Sequence, residues 1–314
     1  MKFYTLSAEQ LIRALGLIRF TDRLNLYLKD GRDDVLLHPM FFEENVCSRA
    51  TTVKDFSLFH RVNTIEEADV IVCPLYLELL AYWLGNNAGA KMAELFRYLE
   101  TLPKRVVVYW NHDDDFSPVN SIVPKNVIVL NQGHTSSPGP QDILLPFWNV
   151  GVFPTLPKVQ FASFIGTANN DLRRRLVQAI HSYNRPDIIA ATRAYGDNYT
   201  KSIAMTLFVL CPRGGPGTGG FSFRVFEAIR AGSIPVLIVD RICYPMTEYI
   251  PWDSLCVRIP ESKAEDIPFL LSTLQAVDTV PMLKAIEEAI PRLQLEFLQH
   301  YIHDRLSSTI ARKV

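Results

Sequence analysis

The segment from Leu207 to Asp240 constrains the fold more than any other part of this chain. Leu207–Leu210 is a short apolar run, followed by a glycine-rich turn, a helix-like stretch and a second apolar run at Ile234–Val239. Apolar runs that short, with no polar alternation, suit strands covered on both faces. Gly214, Gly215, Gly217, Gly219 and Gly220 fall within seven residues, so the backbone there can come close to a ligand. Ser222 predicts a helix N-cap, with Phe221 and Phe226 placed as a hydrophobic staple. Gly232 is positioned to end that helix as its C′ residue. A helix N-terminus behind such a turn offers free N–H groups and a positive dipole end to an anion. Arg213 and Arg224 flank it, and guanidinium groups favour phosphate or diphosphate, so the expected ligand is a nucleotide.

The rest of the chain repeats the alternation. Apolar runs at Asp69–Cys73, Val106–Trp110, Val127–Leu130 and Ile143–Leu145 predict parallel strands, and Leu77–Leu102 supplies a helical crossover. Pro146–Pro157, with three prolines, reads as a linker. Beyond it come a strand at Phe161–Ile165, a helix at Asn170–His181, and strands at Ile188–Ala191 and Leu255–Ile259. Pro281–Val314 reads as one or two helices interrupted at Pro291. Two parallel-sheet α/β domains follow, at 1–150 and 151–290, with a closing helix at 291–314. The formal net charge of −1 over 314 residues gives no support to nucleic-acid or anionic-membrane binding. No apolar run approaches the ~20 residues of a membrane span, and no signal-peptide cleavage pattern follows the N-terminus. Five scattered cysteines without CxxC spacing predict free thiols in a reducing cytosol, hence a soluble, cytoplasmic protein.

The turn admits three readings. Gly215, Gly217 and Gly220 spell GxGxxG, and Asp240 ends the next strand, as a dinucleotide site requires. Against an NAD-dependent oxidoreductase stand Pro212-Arg213 before the turn and the bulk of Phe221 and Phe223. A P-loop is excluded because Phe221-Ser222 stands where Lys-Ser/Thr is needed. In the third reading the turn holds a sugar nucleotide: the arginines take the diphosphate, and Glu227, three residues beyond Arg224, takes the ribose hydroxyls.

The segments Tyr199–Ser202, Leu210–Gly214, Ser222-Phe223-Arg224 with Glu227-Ala228, Gly232–Val236 and Trp252-Asp253 together resemble the exostosin-like glycosyltransferases of family 47. The likeness extends to Glu66–Val70 with Cys73-Pro74, and to Phe164-Ile165-Gly166 followed by Arg174. The resemblance implies a glycosyltransferase B architecture of two Rossmann-like domains facing a cleft, with the last helix returning to the first domain. It implies an inverting, metal-independent enzyme with no required cofactor. Carried over by motif, Arg213 and Arg224 contact the diphosphate, Glu227 the ribose, and Ser222 with the amides of Gly217, Gly219 and Gly220 the phosphates. Many relatives are anchored in the Golgi membrane, whereas this sequence shows no anchor.

Inverting transfer also needs a general base facing the donor from the first domain. Asn111–Asp115, directly after the strand ending at Trp110, supplies Asp113 as the first candidate, with His112 and Asp115 beside it. The same aspartates admit a manganese reading or a solvated helix cap; His134 and His38 are further candidates. Trp110, Trp148 and Trp252 are expected to pack in the core or between domains rather than on a sugar. The expected partners are a UDP-sugar donor, with xylose slightly favoured, and a glycan or glycoprotein acceptor. The alternatives are an NAD-dependent oxidoreductase and a catalytically inactive sugar-nucleotide-binding protein.

Overall fold

The structure is a computed structural model, and it describes residues 1–15, 58–77, 88–110, 121–131, 138–146, 152–192, 196–214 and 222–311. The first unit runs β1 (Lys2–Thr5), α1 (Ala8–Leu15), β2 (His60–Arg61), β3 (Val70–Tyr76), α2 (Ala88–Glu100), β4 (Val106–Trp110), β5 (Val127–Asn131) and β6 (Asp142–Leu144). Its six strands lie in the order β2-β1-β3-β4-β5-β6, and all the pairings are parallel. Every residue of β4 and β5 is buried, as the unbroken apolar runs require of strands covered on both faces.

The second unit follows as β7 (Gln160–Ile165), α3 (Asp171–Tyr183), β8 (Ile188–Ala191), α4 (Gly196–Ala204), β9 (Thr206–Pro212), α5 (Phe223–Arg230), β10 (Ile234–Ile238), α6 (Trp252–Leu255) and β11 (Val257–Ile259). Three more helices close the chain: α7 (Ile267–Gln275), α8 (Thr279–Ala289) and α9 (Leu295–Ala311). Its five parallel strands run β11-β10-β9-β7-β8. In chain order that is 2-1-3-4-5, the doubly wound arrangement, with its topological switch point between β7 and β9. Connections from those two strands leave in opposite directions and open a crevice at their carboxyl ends.

The architecture is therefore the expected pair of parallel-sheet α/β units, with one local difference. Leu255 ends a short helix, Trp252–Leu255, so β11 is confined to Val257–Ile259. Within the Leu77–Leu102 stretch, the described residues hold helix α2 from Ala88 to Glu100, and 78–87 lie outside them. Pro291 falls in a 3-10 turn, Ile290–Leu293, where its missing N–H breaks the helical ladder between α8 and α9. Helix α9 then reaches the first unit. His303 meets the ring of Phe59 edge-on at 5.9 Å, and Arg305, Ser308 and Thr309 share a cavity with Arg105, Lys125 and Asp142.

Candidate functional site

The site assembles at the switch point of the second sheet. Helix α5 begins where the sequence predicts: Ser222 has extended backbone angles, and its hydroxyl oxygen accepts from the Arg224 N–H. It ends in a Schellman arrangement, with Gly232 at φ +63°, the Ser233 N–H bonded to Ala228 O and the Gly232 N–H to Ile229 O. Between these caps Arg224 and Glu227 are both buried, at 7% and 3% exposure.

A second element, the N-terminus of α3, holds the turn in place. Asn170 caps α3 through its Oδ1 and donates from Nδ2 to the carbonyls of Arg213 (3.1 Å) and Gly214 (2.8 Å). Arg173 sends Nε to Arg213 O, Nη2 to Pro212 O and Ser222 Oγ, and Nη1 to Thr167 O and Asn169 Oδ1. One guanidinium thus joins the end of β9, the loop after β7 and the cap of α5. Neither Arg173 nor Asn170 emerges from the motif reading, although helical spacing marks the first: Arg173 shares a face with buried Val177 and Ile180. Arg174, which the motif comparison picks out, instead lies on the surface against Asp171.

Arg224 contrasts with Arg173. Its guanidinium lies over the Phe164 ring, 5.0 Å from the centroid, and against the backbone of Gly166. A Cβ at Gly166 would stand 1.9 Å from Arg224 Nη2, so only glycine leaves the guanidinium room. Nε and Nη1 are buried with no hydrogen-bond partner among the described residues. Buried cationic donors are rarely left unsatisfied, and such a group at a ligand crevice is poised for an anion. Glu227 accepts a hydrogen bond from the Tyr199 hydroxyl on α4. Burial, more than the nearby Glu227 charge, raises that phenol well above its ordinary range. Beneath them Cys211 is buried, which pushes its thiol up to about 12 and leaves it unreactive.

The remaining predicted positions divide cleanly. Arg213 points from the end of β9 and pairs with Glu261 at 2.7 Å, both largely buried, so part of its charge is already met by a residue that motif reading passes over. Ser222 is engaged in the cap and with Arg173, and is 7% exposed. Gly217, Gly219 and Gly220, and the base candidates His112, Asp113 and Asp115, lie outside the described residues, as do His38, His134 and Trp148. Trp252 is a core residue: its Nε1 donates to Pro245 O, and its ring stacks on Tyr244 and meets Phe226 edge-on. Asp240, which lends the dinucleotide reading its ribose acid, caps the 3-10 turn Glu261–Lys263 by accepting from the Glu261 N–H. No group of three or more His, Cys, Asp or Glu among the described residues is arranged to hold a metal ion.

Fold and site together define a doubly wound α/β unit with the buried Arg224 and Glu227 at its switch point. Residues 154–274 match the exostosin GT47 domain. Among curated proteins it is 26% identical over 178 residues to the probable β-1,4-xylosyltransferase IRX10 of Arabidopsis thaliana, covering 53% of this chain and 41% of that protein. It is 36% identical over 86 residues to the probable glucuronosyltransferase Os01g0926700 of Oryza sativa subsp. japonica, covering 27% and 19% respectively. The chain thus spans less than half the length of these relatives. A glycosyltransferase from Rickettsia africae ESF-5 aligns over 99% of both chains at 8% identity and a TM-score of 0.48, too distant to bear on function.

One expectation is corrected here. A cytoplasmic location does not hold, because relatives such as IRX10 are Golgi-type glycosyltransferases. The absence of an anchor in a sequence spanning 41% of that relative is no guide to its compartment.

Proposed function

We infer that this chain is an inverting glycosyltransferase that moves a sugar from a UDP-sugar to a hydroxyl of a glycan or glycoconjugate. The observation that carries the reading is the buried guanidinium of Arg224, with Nε and Nη1 unmet among the described residues, one helical turn from the buried carboxylate of Glu227. The first supplies charge for a diphosphate, the second an acceptor for ribose hydroxyls. The acceptor oxygen attacks the anomeric carbon from the face opposite the diphosphate. The bond from that carbon to the diphosphate oxygen breaks, and its electron pair leaves with the diphosphate. Arg224 and Arg213 stabilise the charge that develops there. The acceptor proton passes to a general base of the first unit, for which Asp113, with His112 and Asp115 beside it, is our assignment. No metal is required in this scheme. The relatives are named as xylosyl- and glucuronosyltransferases, and we place xylose slightly ahead of glucuronic acid as the transferred sugar.

Against the NAD reading, one oxygen of Asp240, the acid it needs, already accepts from the Glu261 N–H. A thermal-shift panel of UDP, UDP-xylose, UDP-glucuronic acid, NAD and NADP, each with and without EDTA, tests the assignment. Stabilisation by the uridine nucleotides, indifferent to EDTA, is expected. Stabilisation by NAD alone would overturn it, and UDP-sugar binding without transfer to any of a broad acceptor panel would leave an inactive binder.

A further inference from the structure

Tyr199 reaches both halves of the proposed donor site. Its hydroxyl donates to Glu227 Oε2, and the Arg224 guanidinium acts on the same phenol oxygen. Its ring packs against the core of the second unit. Helix α4 beneath it is tied down at its carboxyl end, where the Lys158 ammonium bonds to Ala204 O at 2.8 Å. The tyrosine is therefore a fixed donor facing a carboxylate that has no contact with bulk water. A carboxylate has about four lone-pair sites on two oxygens, and a vicinal diol needs two of them in one orientation. Fixing Oε2 fixes the plane of the group, and with it the direction of Oε1. The neighbouring positive charge polarises the phenol O–H and strengthens the bond.

We propose that Tyr199 is a positioning residue that orients the Glu227 carboxylate so that the site distinguishes ribose from 2′-deoxyribose in the donor nucleotide. This rests on the reading of Glu227 as the ribose ligand. Burial keeps the phenol protonated across the neutral range, so it remains a donor wherever the protein is folded.

Calorimetric titration with UDP and with 2′-deoxy-UDP, on the wild-type chain, Tyr199→Phe and Glu227→Gln, tests the proposal. The wild type is expected to prefer UDP by about tenfold, the worth of one hydrogen bond to a charged group. Both variants should bring the preference to within about twofold, by weakening UDP more than 2′-deoxy-UDP, which keeps only its 3′-hydroxyl contact to lose. A role in packing alone would weaken both nucleotides equally, and that result overturns the proposal. So does a Tyr199→Phe chain that keeps the wild-type preference while Glu227→Gln loses it. A wild-type chain that binds both nucleotides alike, or neither, removes the ribose reading along with it. Tyr199→Met reads the same ratio if the phenylalanine variant folds poorly.

Discussion

Gly166→Ala isolates the role of Arg224 without touching it. The added Cβ would stand 1.9 Å from Nη2 and 2.7 Å from Cζ of Arg224, on a residue at φ +150°. Non-bonded heavy atoms settle near 3.5 Å, so the guanidinium end must withdraw by about 1.5 Å. Backbone strain at that φ adds roughly 1–3 kcal/mol to the cost of folding. The displaced guanidinium loses a charge-assisted contact worth about 1.5–3 kcal/mol to a bound phosphate, or about ten- to a hundredfold in UDP affinity. Arg224→Ala should cost a similar factor. The discriminating measurement is the double mutant. If alanine at 166 acts through the guanidinium, adding it to Arg224→Ala changes the UDP dissociation constant by less than about twofold, a coupling nearly as large as either single effect. Isothermal titration with UDP on the four proteins, with urea unfolding of each, gives both quantities. Unchanged UDP affinity in Gly166→Ala, or equal losses in the two backgrounds, would refute the reasoning.

Arg173→Ala and Arg224→Ala should cross over. The first leaves Pro212, Arg213 and Thr167 carbonyls short of a donor and costs about 3 kcal/mol or more in urea unfolding, whereas the second costs less stability and more UDP affinity. Arg173→Lys should not restore stability, because an ammonium cannot span contacts arranged around a planar fork. Lys158→Met, which removes donors from Ala204 O, Ala231 O and Ser233 Oγ, should lower unfolding free energy by about 1.5–3 kcal/mol; no change would mean water replaces the ammonium. Burial raises the Asp142 carboxyl from 3.8 to about 6, against the lowering pull of hydrogen bonds from Gly139 N–H and Asn131 Nδ2. The folded state therefore holds this proton more tightly, so its contribution to stability is full below about pH 4 and is lost as pH rises through 6. Asp142→Asn removes that loss. It should stabilise the chain at pH 7.5 by at most about 3 kcal/mol and change little at pH 4, and an equal gain at both would refute the assignment.

Much of the second unit was legible because its signals are local. The caps of α5 follow from Ser222 and Gly232, and the buried strands follow from unbroken apolar runs. The motif comparison picks out Arg174, but it is the preceding Arg173 that faces inward. Helical phase decides it: Arg173 lies in line with Val177 and Ile180, and its neighbours turn to Asp171 and Glu265 at the surface. Glu261 had no such signal, and Gly166 appeared only within the motif, without its reason. Glu261 reaches Arg213 across 48 residues, and the need for glycine at 166 arises only because the Arg224 guanidinium lies against it. Contacts of that kind belong to the tertiary fold and leave no periodic trace.

The two buried arginines explain how one crevice can be both firmly built and ready to bind. Arg173 spends its donors on backbone carbonyls and on Ser222, so the entry to the glycine turn and the cap of α5 are fixed before any ligand arrives. Arg224, a residue of the helix that this clasp fixes, keeps two donors unmet beside Glu227. A guanidinium desolvated in that way costs folding free energy, and the neighbouring carboxylate and the Phe164 face offset only part of it. The cost becomes useful when an anion binds. Dehydration of the cation has already occurred, and its position is already set by Phe164 and Gly166, so little further ordering opposes association. Preorganisation therefore depends on Arg173 being saturated, and affinity on Arg224 not being. Exchanging those roles, by freeing Arg173 or satisfying Arg224 with a new internal acceptor, should weaken nucleotide binding even where every residue of the motif is retained.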